Sequence, residues 1–416
     1  AHPDSAPNLR DALEGELGKQ GIALEAVAVS GDRVELRYRN LRYRSEAIAI
    51  GRAARVLAQV LPPSVETFRL VPVSGGMGLS AVTLRRSDLE ALEFAPDSSE
   101  ALRAVTGTGE AGPTPRDAQP ATGLYPNFAW GLGPYFEPSY FDPDQPVRMD
   151  VGLELSLAYE PAPGWVLAGA LRHRLAGNVK DGRLSNSILP HVRTDQTLYA
   201  QAATTLKNLY AARQWRPGRN LYARTSAGYL ESMYAGVAGE LLWKPVDSRF
   251  ALGAELNYVR RRDYDGMLGL LSNTTVDPVS GVERDIPDVN GHVSAYYAFG
   301  NGFHGQVDMG RYLAGDYGAT VTVERQFTNG WRVGAFATFT DVSGDDFGEG
   351  SFDKGITLTI PLSIGLGTPS RKTQTETIRT IQRDGGARLN VSNRLYEQVR
   401  TWHEPDVANT WGRFWR

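Results

Sequence analysis

The sequence predicts a mainly β fold: a transmembrane antiparallel β-barrel of about 12–14 strands, preceded by a small αββαββ domain. Three observations carry that prediction. First, the stretch Val147 to Tyr159, VRMDVGLELSLAY, sets Val147, Met149, Val151, Leu153, Leu155, Leu157 and Tyr159 on one face and Arg148, Asp150, Glu154 and Ser156 on the other. Successive strand side chains point to opposite faces, so this segment must meet an apolar medium on one side and a polar one on the other. It is longer than the roughly five or six residues of a soluble strand, and long enough for the about nine to eleven that a tilted membrane strand needs. Second, the alternation recurs along most of the chain. Third, the connections sort by length, short at one end of the strands and long at the other.

Composition sets the outer limits. The 416 residues have room for two or three domains. A mean hydropathy of -0.32 and 22% charged residues resemble a soluble protein, and no run of about eighteen apolar residues offers a membrane helix. A barrel's polar lumen face hides its membrane signal from such averages. The 45 Gly, 18 Tyr and 8 Trp suit a barrel with aromatic girdles. Without Cys, disulfides and thiolate metal sites are excluded, and a net charge of -3 gives no case for nucleic acid. The opening AHPDSAPNLR lacks the basic start and apolar core of a signal peptide, so an outer-membrane destination requires a targeting segment upstream or already removed.

Residues 1–92 read as the α/β domain, expected in the periplasm. Leu9, Leu13 and Leu17 recur at helical spacing and Gly21 closes the helix. Alternating runs at 22–29 and 33–39 form a hairpin through Ser30-Gly31-Asp32. Ser45 caps a second helix that Pro62-Pro63 stops, and strands at 66–73 and 79–85 follow across Gly75-Gly76. Such a unit is more often a docking or spacer module than an enzyme. Residues 93–126, rich in Pro, Gly, Ser and Thr, read as a linker. Its formal G-x-G-x-x-G at Gly107, Gly109 and Gly112 is set aside, because Pro113 and Pro115 stand where a nucleotide fingerprint needs a helix.

Residues 127–396 read as the barrel. Candidate strands lie at 127–137, 147–160, 164–175, 192–209, 219–230, 233–243, 249–261, 292–299, 303–313, 319–327, 331–341 and 356–366, with weaker ones near 374–383 and 386–396. If the first rises from the periplasm, the turns at 161–164, 244–248, 300–302 and 328–330 are periplasmic and short, and 213–218 is a longer one. The long connections 176–191, 262–291 and 342–355 then lie outside, the asymmetry of an outer-membrane barrel. A soluble sandwich or propeller has no reason to sort its loops so. Residues 397–416 form an aromatic-rich tail, with Trp402, Trp411, Phe414 and Trp415, that could seal, plug or underlie the barrel.

Hydrolase, phosphate-loop and zinc-protease motifs are absent. The six His lie at no metal-ligand spacing, so neither cofactor nor metal is expected. Asp341, Asp345, Asp346 and Glu349 could gather around Ca²⁺ but lack the EF-hand order and read better as a solvated acidic loop. By parity the lumen face carries Arg148, Asp150, Glu154, Arg172, Arg174, Tyr222, Arg224, Tyr234, Glu240, Glu255, Tyr296, Asp308, Glu324 and Arg332. Asn257, Gln306, Thr322, Gln326, Thr357 and Thr359 join them. Such a wall can hydrogen-bond hydroxyl-rich chains, and equally its paired charges can close the lumen into a polar core.

Several strings have a familiar look: GYLESMYAGVAGELLWKP (228–245), LNYVRRRDYDG (256–266), SNSILPHVRTDQ (185–196), GRYLAGDYGATV (310–321), DKGITLTIPL (353–362) and RDGGARLN (383–390). With RVELRYRN and GRAARVLAQVLPP in the α/β segment, they make the chain similar to the YjbH family of outer-membrane exopolysaccharide and group 4 capsule proteins. The resemblance implies the carboxyl-terminal half of a longer protein, a fragment, processed product or part of a split one, whose amino-terminal half is a missing partner. It implies periplasmic or lipoprotein secretion partners and carries no catalytic residues. The expected function is an outer-membrane barrel, in contact with outer-membrane lipid, that guides exopolysaccharide through or under a polar lumen. The alternatives are a structural anchor barrel without a conducting pore and, third, a polysaccharide-modifying enzyme using carboxylates such as Glu154, Glu240, Glu255 and Asp308. The chain is expected not to be an enzyme.

Overall fold

A computed structural model describes residues 6–141, 144–183, 187–276, 281–343, 352–363, 367, 369–379 and 384–416. The α/β domain follows the expected order, α1 (Ala6–Lys19), β1 (Ile22–Ser30), β2 (Arg33–Asn40), α2 (Glu46–Val60), β3 (Thr67–Ser74), then β4 (Met77–Gly78) and β5 (Ala81–Arg85). Strands β2 and β3 run parallel on either side of the α2 crossover, and β1 and β5 are antiparallel to them. The apolar stripe of α2 (Ala49, Ile50, Ala53, Leu57) and that of α1 (Leu13, Leu17) close over Leu36, Tyr38, Phe68 and Leu70. Burying each such Leu or Phe contributes about 1.5–3 kcal/mol.

The stretch read as a linker is instead largely folded onto this domain. Helices α3 (Arg86–Leu92) and α4 (Ser98–Val105) lead to β6 (Gly107–Gly109), which pairs with β5, and β7 (Gln119–Pro120) pairs with β1. Gly107–Gly109 thus forms a sheet edge, as its setting aside as a nucleotide site allows.

Thirteen strands make the second sheet: β8 (Asn127–Tyr140), β9 (Val147–Glu160), β10 (Trp165–Gly177), β11 (Thr204–Gly218), β12 (Leu221–Tyr229), β13 (Tyr234–Trp243), β14 (Phe250–Arg261), β17 (Val289–Gly300), β18 (Phe303–Arg311), β19 (Tyr317–Gln326), β20 (Arg332–Thr340), β21 (Asp353–Pro361) and β22 (Thr373–Arg379). Each pairs antiparallel with its chain neighbour, and a two-stranded ribbon, β15 (Thr274–Val276) with β16 (Glu283–Asp285), sits in the β14–β17 connection. The barrel is nearly closed: among the described residues the ladder has thirteen strands, with β8 and β22 at its two ends. Pro134 and Pro138 in β8 suit an edge strand, where a missing N–H interrupts no interior ladder.

The alternation read from the sequence is the barrel's two faces. Outward-parity side chains such as Trp130, Leu157, Leu256, Val293 and Met309 are exposed, while inward-parity Asp150, Arg224, Asn257, His292 and Asp308 are buried. Three expectations need correction. The strand placed at 192–209 begins at Thr204, because residues 192–194 are held in a loop and Gln196–Tyr199 form a short helix, α5. The turn expected at 213–218 is the end of β11, which reverses tightly at Arg219-Asn220, with Asn220 at φ 58. No strand lies in 386–396 among the described residues; that segment enters the barrel. Residues 364–366 of the strand read at 356–366, 380–383 of that read at 374–383, and Asp345, Asp346 and Glu349 of the acidic loop lie outside the described residues.

Most short turns lie at the end of the barrel that meets the α/β domain, the domain end, and the longest connections at the other, the loop end; the connection from β21 to β22 is a longer one at the domain end. At the joint, Arg39 pairs with Glu160 at 2.8 Å, Arg44 donates to the Ser370 carbonyl, and Arg371 pairs with Glu46 at 2.7 Å. Gly76 lies so close to Gly164 that a Cβ there would strike its backbone.

Candidate functional site: a lumen threaded by the chain's own end

From Asp384 onward the chain crosses the lumen from loop end to domain end. At the loop end Asp384 accepts hydrogen bonds from the backbone N–H groups of Val192, Arg193 and Thr194 at 2.8–3.0 Å and from the Thr194 hydroxyl at 2.7 Å. The Gly386 N–H donates to Asp316 at 2.7 Å. Deeper in, Arg388 reaches Glu255 at 2.7 Å and Asp308 at 2.8 Å, and Arg394 also pairs with Glu255. Helix α6 (Leu395–Val399) begins where the Leu395 N–H donates to Glu240 at 3.0 Å. Tyr396 stacks on Tyr296, with centroids 3.8 Å apart and planes 15° off parallel. Arg400 meets Glu324 at 3.0 Å, and Arg332 pairs with Glu397 at 2.5 Å.

At the domain end the segment changes character. His403 lies 3.2 Å from the Tyr222 hydroxyl and 3.2 Å from the Leu79 carbonyl, and the Ser80 hydroxyl donates to the Trp402 carbonyl. Helix α7 (Glu404–Thr410) and the turn after it place Val407, Trp411 and Phe414 in the same apolar cluster as α2 and the domain sheet. A Cβ at Gly51 would collide with the Phe414 carbonyl, so α2 and the chain's end pack backbone against backbone. Burial, helped by Lys244 and Arg216, pulls the His403 imidazole down to about 3. Burial pushes the Glu46 carboxyl up to about 7 against the pull of Arg371 and Asn40, and brings the Lys244 ammonium down to about 8.

The residues picked by parity share this interior but split into two groups. Glu240, Glu255, Tyr296, Asp308, Glu324 and Arg332 contact the crossing segment as described, and Tyr222 reaches its His403. Arg224 lies buried opposite Glu240 in the ladder, and Tyr234 is buried beneath the Arg193 guanidinium. The others hold one another on the first strands of the wall. Arg172 binds Glu154 at 2.7 Å and Glu137 at 2.9 Å, Lys207 binds Glu154 at 3.1 Å, Arg174 binds Asp150 at 3.2 Å, and Arg148 donates to the Asn178 carbonyl. The reading of the sequence missed Arg388, Arg394, Arg400, Tyr396 and His403. Their signal was there: three arginines six residues apart in a segment whose strand pattern is poor, facing a wall with buried carboxylates to match.

Between the first wall strands and the crossing segment, in the loop half of the lumen, a cavity of about 620 Å³ remains, lined by Tyr135, Arg172, Tyr199, Asn208, Ser232 and Asn390 among others. Among the described residues no cluster of His, Asp and Glu is arranged to hold a metal ion. Among the described residues no helix is long and apolar enough to cross a membrane.

Comparison with known proteins adds a family. The family model YjbH, described as exopolysaccharide biosynthesis protein YbjH, matches residues 1–401. An uncharacterized lipoprotein YjbH of Escherichia coli (strain K12) is 28% identical over 389 residues, covering 91% of this chain and 54% of its own length. The chain thus spans about half the length of the curated relative it matches.

Proposed function

The chain belongs to the YjbH exopolysaccharide biosynthesis family, and on that premise we propose that it is an outer-membrane barrel that takes part in exopolysaccharide export or assembly, held shut in the state described by its own carboxyl-terminal segment. The observation that carries this reading is the reversed barrel: apolar side chains outward around the sheet, with charged and polar ones inward. An exposed apolar belt of that extent is stable in lipid and an aggregation hazard in water. The polar lumen is then the only route for a hydrophilic polymer, and the crossing segment is its gate. The α/β domain, sharing a core with that segment, lies in the periplasm and engages secretion partners or the incoming chain. No catalytic step is assigned to the lumen carboxylates, which are committed to arginines and backbone N–H groups.

A second reading, a structural anchor without a pore, is favoured by the depth of the crossing segment's attachment at both ends. Planar-bilayer recording separates the two. The full chain is expected to conduct rarely, and Arg388→Ala with Arg394→Ala, which removes the central rungs, to raise the open fraction at least tenfold. A barrel that stays closed in that variant leaves only the anchor. Unchanged surface polymer after deletion of the gene, or recovery of the chain outside the membrane fraction, overturns both.

A further inference from the structure

Resting on the reading of this barrel as a polysaccharide-handling protein, we propose that the loop-half cavity is a binding site for an uncharged, hydroxyl-rich oligosaccharide segment rather than for an acidic one. Its volume of about 620 Å³ falls inside the range of about 300–1,000 Å³ typical of small-ligand sites. One side of it is the crossing segment, residues 388–392 with Arg394, and the other is the wall of β9 to β11, so a ligand there would sit beside that segment in space already open.

The charge arrangement selects the ligand. Six cations line the cavity, and each meets a carboxylate: Arg172 with Glu137 and Glu154, Lys207 with Glu154, Arg174 with Asp150, Arg193 with Glu231, Arg388 with Glu255 and Asp308, and Arg394 with Glu255. An acidic sugar would have to draw a guanidinium away from a carboxylate such as Glu231, Glu255 or Asp308, whose side chains are 8%, 5% and 4% exposed. That carboxylate would be left buried and unpaired, the costly way to break an ion pair. A sugar hydroxyl both donates and accepts, so it can bridge the two members of a pair without separating them. Gln196, Asn208, Ser232, Asn390 and Ser392 add neutral donors and acceptors around the same space.

The test is calorimetric titration of the full chain in lipid nanodiscs with malto-, cello-, manno- and galactohexaose as neutral probes and oligogalacturonate as the acidic one. At least one neutral hexaose is expected to bind, and oligogalacturonate to bind at least tenfold more weakly. Asn208→Trp fills the cavity from a position that makes none of the ion pairs above, and Ser392→Trp fills it from the crossing segment; whichever keeps heat-modifiable gel mobility is expected to lose neutral binding at least tenfold. Binding of none of the neutral probes, equal or tighter binding of oligogalacturonate, or unchanged neutral binding in the folded filled variant overturns the site. Export is scored separately, as surface polymer in cells carrying or lacking the gene. A chain that supports export yet fails the titration sinks this site alone, and a gene whose loss leaves export intact sinks the export reading whatever the titration shows.

Discussion

The α/β domain and the barrel are built to opposite solvent rules. In the domain, Leu36 and Phe68 are fully buried, and the sheet closes on an apolar core. In the barrel, Leu256 and Val293 are 66% and 61% exposed while Arg224 and Asp308 are 3% exposed. One chain obeys both, and its last segment crosses from one to the other. Inside the barrel it offers Arg388, Arg394 and Arg400 to carboxylates; inside the domain it offers Trp402, Val407, Trp411 and Phe414 to an apolar cluster. The difference teaches that burial alone does not define a core here. What defines it is the medium outside, water for the domain and, on the proposed reading, lipid for the barrel.

The largest test of that contrast is the polar core itself. Arg388→Ala leaves Glu255 and Asp308 short of a partner, and losing one side of a buried pair costs about 3–5 kcal/mol. In urea unfolding followed by barrel-specific gel mobility, a loss of that size is expected, comparable with the about 2–5 kcal/mol of Leu36→Ala in the domain. A loss below about 1 kcal/mol would mean that the ion pairs decorate the lumen without holding it.

Next comes the outer surface, where equal exposure should have unequal consequences. Val293 on the barrel and Leu41 on the domain are both 61% exposed. Val293→Arg puts a charge on the apolar belt, which costs about 2–4 kcal/mol near the middle of a bilayer, whereas Leu41→Arg is expected to stay within about 0.5 kcal/mol. Folding of both variants into phospholipid vesicles reads the difference directly. Equal tolerance would show that the belt does not face lipid.

Much of this was legible in the sequence, for a local reason. A strand's period of two is written in neighbouring residues, so Val147–Glu160 is found to the residue and most barrel strands to within three. The errors lie where distant partners overrule local pattern. Residues 192–194 alternate well enough for a strand, but Asp384 fastens their backbone into a loop. The segment near 386–396 resembles a weak strand, but its donors are spent on Asp316, Glu231 and Glu240. The lumen residues follow the same division. Parity tells which way Glu255 and Asp308 point, and nothing in their neighbourhood tells that Arg388, more than a hundred residues away in one case, will meet them.

The smallest expected effect tests the seam between the two regimes. His403 sits fully buried where the crossing segment enters the domain, facing Tyr222, Lys244 and Arg216, with its imidazole at about 3 instead of the usual 6.5. The docked state therefore binds fewer protons than the undocked one between those values, so stability is full above about pH 6.5 and falls as pH drops toward 3. By pH 5 the loss from this group is about 2 kcal/mol. Glu46, across the joint, has the opposite sign: its carboxyl, raised to about 7, gives stability that is full below about pH 4.5 and is lost as pH rises through 7. Between about pH 4.5 and 6.5 the two slopes oppose, and the wild-type profile is expected to be nearly flat. Glu46→Gln removes one slope and exposes the other, so in that variant limited proteolysis of the carboxyl-terminal segment should accelerate steadily from pH 7 to 5. Adding His403→Gln should abolish the acceleration; if it persists, the pH response of the joint belongs to a group other than His403.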